Sequence, residues 1–181
     1  PYCARLCPAN ENECLCGTSQ RRVVQWDFRA GKVVQEYEEH QANVNAVLFL
    51  DASRFVSSSD DKSLRVWDYG IPVPVRYISE PTMHSMPALC LHPSGKYFAA
   101  QSLDNKIVVY EAAGSYHLLP RKRFTGHMSA GYACQLSFSP DGRYLAAGSR
   151  RGDISVWDIA TGDVRLRLLG HRERQPPPQP P

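Results

Sequence analysis

Asp60-Asp61-Lys62-Ser63-Leu64-Arg65-Val66-Trp67-Asp68 decides the fold of this 181-residue chain. Asp60-Asp61-Lys62 is turn chemistry, because short polar side chains bond their own backbone and Asn and Asp tolerate left-handed conformations. Leu64 to Trp67 then reads as a short strand that ends on Trp-Asp. The same ending recurs at Trp26-Asp27 and Trp157-Asp158, with Tyr110-Glu111 between. Successive endings lie 41, 43 and 47 residues apart. Histidines mark the start of each unit as regularly: His40, His84, His127 and His171 are 44, 43 and 44 residues apart. A period of roughly 40–45 residues, punctuated by Gly-His and Trp-Asp, marks the four-stranded blade of a β-propeller.

Working outward, the same unit supplies its other strands. Val44 to Leu50 alternates apolar and polar residues, Asp51-Ala52-Ser53 turns the chain, and Arg54 to Ser59 returns it. Val73 to Ile78 forms an outer strand, where Pro72 and Pro74 do little harm because an edge need not donate. The first unit reads as Tyr2–Cys7, Glu13–Gly17, Val23–Trp26 and Val33–Tyr37. The third reads as Ala88–His92, Tyr97–Gln101, Ile107–Tyr110 and Tyr116–Phe124, and the fourth as Ala133–Phe138, Tyr144–Gly148, Ile154–Trp157 and Val164–Leu168. Pro93-Ser94-Gly95 and Pro140-Asp141-Gly142 repeat one hairpin turn in two units. The expected organisation is all-β: four blades of a WD-repeat β-propeller over 1–38, 39–79, 80–125 and 126–171. A proline-rich tail, 172–181, reads as disordered.

Composition fits a packed domain: 43% hydrophobic and 10% aromatic residues, with a net charge of +3. That charge permits an acidic partner without arguing for nucleic acid. The longest clean apolar run, Ala46 to Leu50, is far short of the roughly 18 residues of a membrane span. Pro1-Tyr2-Cys3 reads as the interior of a longer sequence and carries no signal peptide. Cys3, Cys7, Cys14 and Cys16 crowd together, but their spacing departs from the C-x2-4-C pairs of structural zinc sites. They read instead as small apolar side chains on two neighbouring strands, in a reducing compartment, and no metal or cofactor is expected.

His40, Ser57, Asp61 and Trp67 imitate a hydrolase triad. A triad is defined by geometry and an oxyanion site, whereas these four residues meet within one blade. They are expected to form a structural hydrogen-bonded tetrad that satisfies buried polar groups. The other units carry it incompletely. The third has His84 and Asp104 with Ala100 and Tyr110, and the fourth has His127 and Trp157 with Ala147 and Arg151. The first has Trp26 with Cys16 and Gln20. Arg151-Gly152-Asp153 reads as a strand-connecting turn rather than an adhesion tripeptide.

Some strings go beyond what a blade requires. Glu80-Pro81-Thr82-Met83-His84-Ser85-Met86-Pro87-Ala88 and Gly126-His127-Met128-Ser129-Ala130-Gly131-Tyr132-Ala133-Cys134 are the most specific. With Val24-Gln25-Trp26-Asp27, Val34-Gln35-Glu36-Tyr37, Arg54-Phe55-Val56-Ser57 and the opening stretch, they resemble the propeller of the pre-mRNA-processing factor seventeen family. The resemblance implies a nuclear, WD-repeat splicing factor acting around the second transesterification step. It also implies a seven-bladed propeller after a long N-terminal region, of which this chain resembles the third to sixth blades.

The expected function is therefore a non-catalytic spliceosomal scaffold. The alternative is an adaptor such as a ubiquitin-ligase substrate receptor, because fold does not fix function. No Gly-rich phosphate loop or metal-ligand string points to an enzyme or a small-molecule substrate. The turns between second and third strands share one rim and carry Arg21, Arg22, Lys62, Lys106, Arg150 and Arg151. These six are the expected partner-binding residues, an arc for an acidic protein segment or an RNA backbone.

Overall fold

The computed structural model describes residues 2–129 and 131–170. His171 and the tail 172–181 lie outside the described residues.

Sixteen strands form four sheets of four. The first holds β1 (Cys3–Leu6), β2 (Glu13–Gly17), β3 (Val23–Asp27) and β4 (Lys32–Tyr37). The second holds β5 (Val44–Phe49), β6 (Arg54–Ser59), β7 (Leu64–Asp68) and β8 (Pro74–Ile78). The third holds β9 (Ala88–Leu91), β10 (Tyr97–Ser102), β11 (Lys106–Glu111) and β12 (Leu118–Phe124). The fourth holds β13 (Leu136–Phe138), β14 (Tyr144–Gly148), β15 (Asp153–Asp158) and β16 (Val164–Leu169). Each sheet is an antiparallel meander in chain order, and β1, β5, β9 and β13 stand side by side as the inner strands. This is a four-blade segment of a WD propeller. The strands differ from the sequence reading by at most a few residues at their ends. The largest shift is β13, which starts at Leu136 because a turn at Ser129–Tyr132 occupies the preceding residues.

The core lies between blades, and the strand period explains why. Successive side chains of a strand point to opposite faces. On β7, Leu64 and Val66 face the third blade, where they join Phe98, Tyr110 and Met86. Trp67 faces the first blade, against Leu15, Val23, Tyr37 and Phe55. A third cluster, around Ile107, Phe124, Leu145 and Trp157, joins the last two blades. Trp67 and Trp157 are both 0% exposed. Trp26 holds the same position on the first blade, but its face meets no described blade and it is 37% exposed.

One backbone feature repeats through all four units. The residue five before the Trp/Tyr position has positive φ: Arg21 at 64°, Lys62 at 62°, Asn105 at 66° and Gly152 at 82°. The tight turn between second and third strands requires this left-handed residue, and three non-glycine side chains accept its cost. The blades also approach closely. A Cβ on Gly17 would lie 2.7 Å from Cys3 Sγ and 2.8 Å from the Val44 carbonyl oxygen. Among the described residues no helix is long and apolar enough to cross a membrane.

Candidate functional site: a propeller rim

The loops that enter each blade and the turns between its second and third strands share one rim. The Asp60 amide donates to the Asn43 carbonyl, Leu103 to Ser85, and Arg150 to Met128 at 2.7 Å. The second blade's entry loop carries His40, and the facing turn carries Asp61.

Trp67 Nε1–H donates to Ser57 Oγ at 2.8 Å. Ser57 Oγ lies 2.8 Å from His40 Nε2, and His40 Nδ1 lies 2.9 Å from Asp61 Oδ2. With the serine hydroxyl donating to Nε2, the imidazole is protonated at Nδ1 and donates to the carboxylate. The Gln41 amide and the Ser63 amide and hydroxyl complete the Asp61 shell. Burial opposes ionisation of Asp61, but hydrogen bonds from His40, Ser63 and Gln41 outweigh it and hold its carboxyl well below the usual range. Ser57 and Trp67 are buried and face a closed core, so the arrangement is a strut for the rim.

The depressed Asp61 pKa fixes a sign. Its contribution is fully present above the unfolded carboxylate value of about 4 and is lost as pH falls through the folded value. Asp61→Asn is expected to flatten the acid limb of the stability-versus-pH curve below about pH 4. Urea midpoints at a series of pH values measure this, and an unchanged acid limb would contradict it.

The other blades use different partners. In the fourth, Trp157 Nε1–H donates to the Thr125 carbonyl at 3.0 Å, and His127 Nε2 meets Gln101 Oε1 at 2.8 Å. Gln101 belongs to the third blade and stands in for the missing serine. Burial lowers the His127 pKa, and the Asp153 charge partly restores it. In the third, His84 is exposed rather than built into a tetrad. Asp104 pairs instead with Lys106.

A second buried network was not visible in the sequence. The Tyr37 hydroxyl accepts from the Gly70 amide and donates to Gln25 Oε1 at 2.9 Å. Gln25 Nε2 donates to Glu13 Oε2 at 2.6 Å, and the Tyr69 hydroxyl donates to the same oxygen. Burial pushes the Tyr37 phenol up to about 12. The signal was faint: a Gln at an inward strand position and a Tyr closing β4.

The six rim cations do not form an even arc. Arg22 is bound by Glu36 at 2.6 Å and Glu38 at 2.9 Å, and Lys106 by Asp104. Arg21, Lys62, Arg150 and Arg151 are exposed, and among the described residues no carboxylate lies within ion-pair distance of them. The guanidinium of Arg150 sits 5.2 Å from the centre of the Tyr132 ring. Tyr132 belongs to the Gly126–Cys134 string, in which nothing marks it as a rim residue.

The cysteines are thiols spread over three blades. Cys14 and Cys16 share one face of β2 with sulfurs 3.7 Å apart. Burial, then the Cys16 neighbour, pushes the Cys14 thiol up to about 11. Almost no thiolate exists at pH 7.5, so Cys14 is expected to react with iodoacetamide more than tenfold more slowly than a free thiol of pKa about 8.5. Peptide mass spectrometry of a timed labelling reads the rate, and prompt labelling in the folded protein would contradict it.

With the geometry in place, comparison with known proteins adds the lineage. The WD40 model (WD domain, G-beta repeat) matches residues 31–68 and 119–158. Over 174 residues, 94% of this chain, the sequence is 48% identical to Pre-mRNA-processing factor 17 of Homo sapiens. The chain is a WD-repeat homologue of pre-mRNA-processing factor 17. It is also 41% identical over 171 residues, 91% of its length, to Pre-mRNA-processing factor 17 of Saccharomyces cerevisiae. Identity to WD repeat-containing protein 25 of Mus musculus falls to 30% over 174 residues and 92% of the chain. The chain spans 30%, 38% and 32% of the lengths of these three relatives.

Proposed function

We propose that this homologue of pre-mRNA-processing factor 17 is a non-catalytic scaffold of the spliceosome, acting in the nucleus around the second transesterification step. The observation that carries the reading is 48% identity over 94% of the chain to a protein of that name. Fold alone would not, because propellers serve many unrelated roles. The site chemistry fits a scaffold. Among the described residues the triad-like group His40–Ser57–Asp61 is locked under Trp67, where no substrate could reach the serine. The exposed cations of the rim are the proposed partner-binding residues, for an RNA backbone or an acidic protein segment.

Depletion of this protein from a splicing extract tests the reading. A block after the first step is expected, with free 5′ exon and lariat–3′ exon accumulating, and add-back should release it. Normal yields of spliced product after complete depletion would refute it.

A further inference from the structure

The fourth-blade sector of the rim differs from the rest in both charge and shape. In the first sector Arg22 is bound by Glu36 and Glu38 and only Arg21 is unpaired, in the third Lys106 is bound by Asp104, and the second offers the single unpaired cation Lys62; among the described residues neither Arg21 nor Lys62 lies over an aromatic ring. In the fourth, Arg150 and Arg151 are exposed, and among the described residues neither is paired with a carboxylate. Asp153 is the nearby acid in sequence, and its Oδ1 is buried, away from the surface.

The same sector presents an aromatic ring. Gly131, with φ of 85°, turns the entry loop so that Tyr132 projects outward. Tyr132 is 57% exposed although Arg150 stands over its ring. Buried tyrosines in this chain close cores or networks, as Tyr37 and Tyr110 do. Tyr132 closes neither, and its hydrophobic cost to the free surface is unreturned within the described chain. Loop and turn are also fixed to each other, since the Arg150 amide donates to the Met128 carbonyl at 2.7 Å. The ring and the guanidinium are therefore held on two joined segments rather than meeting by chance.

The surface continues inward. Gly131, Ala133 and Gln135 line a central cavity of about 490 Å³ together with Tyr2 and Arg5. Tyr2 and Arg5 are both exposed, and among the described residues no carboxylate pairs with Arg5. The one acid lining this cavity, Asp60, already accepts from Asn45 and Ser85. A path thus runs from the Tyr132–Arg150 pair on the rim to a cavity lined by a further exposed tyrosine and arginine.

We propose that Tyr132, Arg150 and Arg151 form a binding site for single-stranded RNA, with one base stacked on the face of the Tyr132 ring turned away from Arg150 and flanking phosphates on Arg150 and Arg151. An acidic peptide would be satisfied by the arginines alone. The exposed ring held beside an arginine favours a nucleobase, because every base has a π-face that stacks on aromatic and guanidinium planes. A single strand fits better than a duplex, whose bases are already stacked. The site deepens the scaffold reading by giving the rim a ligand, and takes only its biological setting from it.

Fluorescence anisotropy of a fluorescein-labelled decauridylate, titrated with the full chain over a salt series, tests this without any splicing component. Affinity is expected to fall with salt at a log–log slope of about −1.4, for two phosphates on a single strand. Tyr132→Ala should weaken binding roughly 5- to 150-fold, the range for loss of one stacked base. Tyr132→Phe should restore most of it, and Arg150→Gln with Arg151→Gln should remove most of the slope. All three positions are exposed, so unchanged melting temperatures confirm that the variants fold. No binding, full affinity in Tyr132→Ala, or displacement by decaglutamate as effective as by unlabelled decauridylate would each overturn the site. A positive result with no splicing defect on depletion would keep the RNA site and remove the spliceosomal setting; the converse would do the opposite.

Discussion

Trp67→Ala is expected to destabilise the chain by about 3–5 kcal/mol, the cost of deleting a fully buried large aromatic. The loss has two sources. The ring packs edge-on against Tyr37 at 5.3 Å and stacks on Phe55 at 6.2 Å, so its removal opens a cavity between two blades. Its Nε1–H also feeds Ser57, and without it the buried His40–Asp61 chain loses a donor. Trp26→Ala should cost well under half as much, because that face is partly open to solvent. His84→Ala should stay within about 0.5 kcal/mol, as surface changes usually do. Urea unfolding of the three variants measures the order. Equal losses for Trp67→Ala and His84→Ala would contradict the assignment of the second blade as the anchor.

The second large effect concerns the two end faces. On the last blade, Ile154 pairs with Leu168 and Val156 with Leu166 across β15 and β16. Leu166 and Leu168 are 49% and 46% exposed. On the first blade, Leu6, Cys14 and Trp26 lie in register across β1, β2 and β3, with Leu6 and Trp26 exposed. Contiguous apolar faces of this kind seek partners. The outer strands β4, β8, β12 and β16 also keep one unpaired edge each, a further template for association. The 181-residue chain is therefore expected to self-associate, its mean mass in sedimentation velocity rising with concentration. Leu166→Lys with Leu168→Lys should shift it back toward monomer. A monodisperse, cooperatively unfolding monomer of the unaltered chain would contradict this.

The architecture was legible because blade grammar is local and repeated. Trp-Asp endings and the Pro-Ser-Gly and Pro-Asp-Gly turns each report a short stretch of backbone, and four copies reinforce one another. The tetrad of the second blade was legible for the same reason, since all four residues belong to one repeat. Most of what the sequence hid was non-local. Gln101 reaches His127 from the preceding blade, and no within-blade pattern can signal that. The Glu13–Gln25–Tyr37–Tyr69 network bridges two blades. The uneven rim was hidden likewise. Arg22 and Lys106 look like free cations in their turns, yet Glu36 and Glu38 arrive from β4 and the loop after it, and Asp104 folds back on Lys106. Tyr132 sat within a string read for its lineage, and only its exposure beside Arg150 set it apart.

The central claim is that this WD-repeat chain is a spliceosomal scaffold. Affinity capture with the tagged chain from nuclear extract, followed by quantitative mass spectrometry, tests it most directly. The account predicts enrichment of spliceosomal proteins over a propeller control of unrelated sequence, reduced when Arg21, Lys62, Arg150 and Arg151 are all changed to Glu with the fold intact. Enrichment of ubiquitin-ligase subunits with no spliceosomal protein above the control would contradict it.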